Sequence, residues 1–180
     1  MLSTAIPKGR ESRWQLRNRL MESVLDGTEI VPGTHATNSE VMRAAFVYLK
    51  VGRAFRTGGL PKALPLVPET TTHSLRNSRS DLAVMFAARA AAWKIQGIAR
   101  TLGGAFLCLH ESLGITAALR TIGFDAEVVI GYPIIEHSNG SDELHAWPAL
   151  GDMPLIGRAG ERPLAYVELT RYPEGAESCC

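Results

Sequence analysis

The chain has 180 residues, 46% of them hydrophobic and 21% charged, with a formal net charge of +1. That length can bury a core as one domain, and the balance excludes a disordered polymer and a strongly basic nucleic-acid surface. The three cysteines, Cys108, Cys179 and Cys180, make no disulfide framework, so a reducing, cytoplasmic setting is expected.

The first stretch, "MLSTAIPKGRESRWQLRNRL", carries charges where a secretory signal needs an unbroken apolar run. Trp14, Leu16, Leu20 and Leu25 are spaced for a short amphipathic helix over residues 11–26, and residues 1–40 read as an N-terminal extension containing it. Thr37 to Glu40 has the Thr-x-x-Glu form of a capping box. It opens a helix through "EVMRAAFVYLKVGRAF" that is predicted to stop near Gly58-Gly59. Three prolines and a threonine-rich run from Leu60 to about Arg79 make a connector. Ser80 caps the next predicted helix, which runs to about Leu102 and ends at Gly103-Gly104. This helix holds the longest apolar region, "DLAVMFAARAAAWKIQGIA", but Arg89 and Lys94 interrupt it, so a buried helix is expected and no membrane span.

After the glycine pair, "AFLCLHESLG" opens a further helix that Ala117, Ala118 and Leu119 carry on to Gly123. The period then changes. "AEVVIGY" follows the turn residue Asp125, "LHAWPAL" alternates around His145 and Trp147, and "PLAYVEL" alternates again, so three or four strands are predicted. Helices first and antiparallel strands afterwards is the α+β order, with the sheet packed on the helix that begins at Cys108. Residues 173–180 read as a disordered tail.

Cys108 sits at an expected helix N-terminus, where unpaired N–H groups and the helix dipole favour a thiolate, the form in which sulfur attacks. The alternative is a small apolar residue in a core, the usual fate of a lone cysteine. His145 leads a predicted strand on a helix-backed sheet, and two such ends can meet in space whatever their separation in sequence. Its alternative is a half-buried strand histidine stacked on Trp147. His110 lies about 200° around the helix from Cys108 and is a poor base for it.

The order "FLCLHESLGITAALRTIGFDAEVVIG", then a loop, then "LHAW", resembles the lasso-peptide leader peptidase family, transglutaminase-like cysteine proteases also known as the B protein C-terminal domain. In that family the cysteine heads a helix, a Gly-x-x-Ala turn and a Val-Ile-Gly strand follow, and His-Ala-Trp carries the general base. Gly123, Ala126, Val129, Ile130, Gly131, His145, Ala146 and Trp147 fall in that order. The resemblance implies a transglutaminase/papain-like cysteine protease core, helices followed by a small antiparallel sheet, over residues 41–172. It also implies that Cys108 is the nucleophile and His145 the base that later protonates the leaving amine.

The family's aspartate, which fixes the imidazole tautomer from the strand after the histidine, has no direct counterpart. Asp152 with Gly151 reads as a hairpin tip, about 15 to 20 Å along the strand from His145. Glu161 is the first candidate for a third member if "RAGE" makes a tight turn, Asp152 the second, and Glu168 lies on the following strand. A Cys-His dyad with the imidazole held by a backbone carbonyl is the remaining alternative. The segment "YPIIEHSNGSDEL" is longer and more acidic than the family's loop, with Glu136, Asp142 and Glu143 placed to meet a basic peptide or merely solvated. Pro148 removes a ladder N–H, so an edge strand is predicted there.

The function so implied is removal of the leader from a ribosomally made lasso-type precursor peptide through a Cys108 thioester. A separate leader-recognition protein and a cyclase are the implied partners, and neither a metal nor another cofactor is expected. Two rivals share the scaffold. One is an acyltransferase that passes the thioester to an amine and forms an amide in a natural-product pathway. The other is a non-catalytic peptide-binding homologue, for which the missing acid is the motive.

Overall fold

A computed structural model describes residues 34–69, 82–102, 108–133, 144–156 and 166–173. The predicted helix over 11–26, the loop over 134–143, Glu161 and residues 174–180 lie outside the described residues. Among the described residues three helices precede the sheet: α1 over Asn38–Ala63, followed by a 3-10 turn over Leu64–Leu66, then α2 over Leu82–Thr101 and α3 over Cys108–Thr121. Four strands come after them, β1 over Glu127–Pro133, β2 over His145–Leu150, β3 over Met153–Pro154 and β4 over Tyr166–Tyr172. The α+β order read from the sequence is the order observed.

The start of α1 is set locally. Thr37 caps the helix, its hydroxyl accepting from the Glu40 N–H at 3.3 Å while the Glu40 carboxylate takes the Thr37 N–H at 2.8 Å. Two of the orphan N–H groups of the first turn are thereby satisfied. The predicted stop at Gly58-Gly59 is instead a kink. Gly59 takes a left-handed φ of 67°, and the helix resumes through Pro61 to Ala63. A proline is tolerated there because it lies in the first turn after the break, where its missing N–H has no helical partner to lose.

Helix α3 is the central element: both its core-facing flanks are covered. Leu113 to Arg120 are all buried. On one flank α1 crosses close, with Tyr48 fully buried against Gly114; a Cβ at that glycine would sit 2.7 Å from the Tyr48 ring. On the other, Leu113 and Ala117 pack on Val128 of β1 and Ala146 of β2. A second cluster of side chains from α1, α2, α3 and the turn after α3, including Ala88, Ile95, Ile115, Leu119, Ile122 and Phe124, closes against Leu150 and Leu155. The run of alanines on α2 lets the helices approach closely, so dispersion contacts accumulate at high density. No described helix is long and apolar enough to cross a membrane.

The sheet is antiparallel in the order β3-β2-β1-β4. β1 pairs with β2 so that Val128 faces Pro148, Ile130 faces Ala146 and Gly131 faces His145. β2 turns into β3 through Gly151, at φ 56°, and Asp152, as the sequence predicted. Pro148, however, does not mark an edge, because β2 is flanked on both sides. A strand residue directs its N–H and C=O to the same neighbour, and the Pro148 carbonyl accepts from the Leu155 N–H at 2.8 Å. The donor that proline lacks would therefore face the short strand β3, and the β1 ladder loses nothing. β4 runs further than "PLAYVEL" predicted, to Tyr172, with a register shift between Ile130 and Gly131.

Candidate active site

Cys108 is the first residue of α3 and is exposed. His145 is the first residue of β2 and half-buried. The link between them is Ser112, one helical turn after Cys108. Its hydroxyl is shared between the Cys108 carbonyl at 2.7 Å and the Ala146 carbonyl at 2.8 Å, and the side chain is buried. The carbonyl of the first helical residue and that of the residue after His145 are thus no further apart than those two bonds end to end. The start of α3 and the start of β2 are thereby joined at backbone level by one buried hydroxyl.

Alternation along β2 sends Ala146 into the core beneath α3 and leaves His145 and Trp147 on the other face, half-exposed. There the imidazole has aromatic company. Its ring centroid lies 6.0 Å from that of Trp147, with the planes 25° apart, and 5.3 Å from that of Tyr166 on β4. Trp147 and Tyr166 also meet, at 5.8 Å. Gly131 makes room for this: a Cβ there would stand 2.6 Å from Trp147 Cη2 and 2.9 Å from the Val167 carbonyl oxygen.

Among the described residues no carboxylate bonds to His145. Asp152 lies past the far end of β2, fully exposed, with Arg171 Nη2 at 3.5 Å. At about 3.3 Å per residue the strand holds it too far from the imidazole for a hydrogen bond. Glu168 stands two strands from His145, across Gly131, and is paired with the Arg171 guanidinium. Arg171 in turn reaches the buried Glu127 at 3.3 Å and the Gly151 carbonyl at 2.7 Å, so this network ties β4 to the hairpin tip. Its carboxylate partners raise the Arg171 pKa, and it stays charged. Glu161 lies outside the described residues.

The first turn of α3 has its own electrostatics. Glu111 accepts from Gln96 Nε2 at 2.6 Å and from Arg100 Nη2 at 3.1 Å, both on α2, which offsets a carboxylate near the thiol. His110 packs edge-on against Phe55, with centroids 3.8 Å apart. Burial and the neighbouring Arg56 guanidinium hold its imidazole pKa below the usual value. Its ring faces Phe55 of α1. Backbone N–H groups of the first helical turn have no intrahelical acceptor, so the start of α3 presents donors beside the sulfur.

Ser112 and Tyr166 were not singled out from sequence. Ser112 was legible in principle, four residues after the cysteine and so on its face of the helix; Tyr166 required knowing that β4 lies two strands from β2. Among the described residues no group of His, Cys, Asp and Glu is placed to hold a metal ion.

No curated protein and no solved structure matches the chain. A family model described as the transglutaminase-like superfamily matches residues 45–170, from the middle of α1 to β4, taking in the cysteine-headed helix and the histidine-led strand. That superfamily includes cysteine peptidases and acyltransferases. With its α+β core and most of its length covered by that match, the chain belongs to the transglutaminase-like superfamily.

Proposed function

We propose that this protein is a cysteine peptidase of ribosomal natural-product biosynthesis that removes the leader from a lasso-type precursor peptide. The observation that carries the reading is the Ser112 hydroxyl, shared between the carbonyls of Cys108 and Ala146, because it joins the helix start bearing the thiol to the strand start bearing the imidazole. Acyl transfer through a thioester requires a thiol and an imidazole that can meet, and this bond ties together the two elements that carry them.

In this mechanism His145 takes the thiol proton, and the Cys108 thiolate attacks the carbonyl carbon of the scissile peptide bond. The oxyanion is met by backbone N–H groups at the start of α3, that of Cys108 first. The tetrahedral intermediate collapses as His145 returns the proton to the leaving amine, the C–N bond breaks, and the acyl group stays on sulfur. Water, deprotonated by His145, then releases the acid and restores the thiol. Trp147 and Tyr166 flank the imidazole, the mechanism runs as a Cys108–His145 dyad, and Glu161 stays the candidate for a third member. A separate leader-recognition protein would deliver the precursor, and a cyclase would consume the product in the cytoplasm.

The test is incubation of the full chain, with its recognition partner, on precursor peptide, followed by mass spectrometry of the products. Free leader and core, lost in Cys108→Ala and His145→Ala, is the expected result. Intact precursor with the wild-type chain overturns the peptidase reading, and leader joined to an added amine replaces it with the amide-forming one.

A further inference from the structure

A cavity of about 520 Å3 opens where α1, α3, β1 and β4 meet. Its walls are apolar: Leu64 from the turn after α1, Leu109 and Leu113 from α3, Val128 and Ile130 from β1, and Tyr172 from β4. Two of these walls belong to the elements of the candidate site. Leu109 directly follows Cys108 and Leu113 directly follows Ser112, while Ile130 is the register partner of Ala146, the residue after His145. The cavity is thus the open mouth of the cluster that packs α3 on the sheet, beside the helix start that bears the thiol.

We propose that this cavity is a specificity pocket that takes a large apolar side chain of the acyl-donor peptide close to the bond that Cys108 attacks. The proposal rests on the peptidase reading above for the identity of its occupant as a donor side chain. The volume falls within the few hundred to a thousand Å3 typical of ligand pockets. Charge selects against an acidic occupant, because the cation in the lining, Arg171, is already engaged by Glu127 and Glu168 and the lining carboxylate, Glu69, would repel one; the apolar walls disfavour burying any charged group. The backbone of the peptide has a place too. β4 closes the sheet on that side, so among the described residues its outer edge is unpaired, and Thr170 and Arg171 bring that edge to the mouth of the cavity. An extended chain along it can exchange main-chain hydrogen bonds while one side chain enters the pocket.

Two measurements on the full chain test this. In the first, Cys108 is alkylated by iodoacetamide and by acyl-aminoacyl chloromethyl ketones carrying glycine, leucine, phenylalanine or aspartate. Burial of a leucine or phenylalanine side chain predicts rates about 10- to 100-fold above the glycine reagent, with aspartate no faster than glycine. Leu60→Asp, at the 37% exposed mouth residue, should cut that preference to about threefold or less and leave the iodoacetamide rate unchanged. In the second, methyl NMR follows titration with N-acetyl-leucine amide, expecting shifts at Leu113, Val128 and Ile130. Fast iodoacetamide labelling without side-chain preference overturns the pocket and leaves the nucleophile standing. Absent methyl shifts overturn it whatever the thiol does. Methyl shifts with an unreactive thiol overturn the donor-subsite proposal and the peptidase reading together, leaving a peptide-binding module.

Discussion

The Ser112 hydroxyl lies 2.8 Å from the Ala146 carbonyl oxygen, a buried bond from the second turn of α3 to the residue beside His145. Removing it in Ser112→Ala leaves that carbonyl without its partner, at a cost of about 1 to 3 kcal/mol. For a chain of this size that is a fall in Tm of about 2 to 4 °C per kcal/mol. A structural role alone stops there. The bond's position predicts in addition that the rate of Cys108 alkylation near neutral pH changes, because the helix start is no longer fixed against β2. Ile122→Val, a cavity of about 0.5 to 1.5 kcal/mol at the other end of the helix, should lower Tm and leave that rate alone. Equal alkylation rates in the two variants would remove Ser112 from the site.

What could be read from the sequence was local chemistry. The Thr37–Glu40 box, the glycine at the end of α3 with φ 94° and the Gly151-Asp152 tip each need only a few adjacent residues, and each is where the sequence puts it. Gly58-Gly59 misled because a left-handed glycine both ends helices and kinks them. The choice is made by the residues downstream of it, and here Leu64 and Leu66 pack back into the core beside α3. Pro148 misled for a non-local reason, since the cost of its missing N–H depends on which neighbour it would have faced. For the site, the thiol and imidazole stood out as residue types, whereas the hydroxyl that joins their elements and the tyrosine beside the imidazole needed the register of the sheet. Asp152 illustrates the converse: the hairpin geometry alone already set it far from His145.

Gly131 and Gly97 form a matched pair for the space around His145. A Cβ at Gly131 would meet Trp147 Cη2 at 2.6 Å and the Val167 carbonyl at 2.9 Å, and the second of these is backbone that cannot swing aside. Gly131→Ala should therefore destabilise by about 1 to 3 kcal/mol and displace Trp147 from His145, lowering precursor cleavage more than stability accounts for. At Gly97, exposed on α2, a Cβ would meet nothing within 4 Å. Gly97→Ala should raise stability by up to about 1 kcal/mol through helix propensity and leave cleavage unchanged. Thermal unfolding and product mass spectrometry on both variants check this, and a silent Gly131→Ala would show the aromatic wall to be dispensable.

Arg120 is buried at the end of α3 and closes the far side of the core. Its guanidinium donates to the carbonyls of Pro68, Glu69 and Ala126, the last at 2.9 Å, and pairs with Asp125 at 2.6 Å. Arg120→Met removes one partner from several buried bonds at once, an expected loss of about 3 to 5 kcal/mol. Arg120→Lys keeps the charge but lacks the fork that reaches them together, so its loss should be smaller. Limited proteolysis should find new cleavage close to Pro68 and Glu69 in the methionine variant before any appears in the sheet. Equal Tm values for wild type and Arg120→Met would contradict this account.

His110 makes stability depend on pH with a definite sign. Burial against α1 and the nearby Arg56 guanidinium both disfavour the imidazolium, so its folded pKa lies below the ordinary 6.5. By about pH 7.5, well above the ordinary 6.5, the ring is neutral in both states. As the pH falls below that, the unfolded chain takes up the proton first, and stability is lost until the pH passes below the folded value. His110→Gln removes this titration, and Arg56→Gln removes the second cause and brings the folded pKa back toward 6.5. Both variants should therefore lose less Tm than wild type between about pH 7.5 and about pH 5, by on the order of 1 to 2 °C because the ring is half-exposed and partly screened. A parallel set of Tm curves would mean that His110 already takes its proton in the folded chain as readily as in the unfolded one. The same scan separates this from the proposed Cys108–His145 pair, since neither substitution replaces a member of it and the pH profile of alkylation should keep its shape.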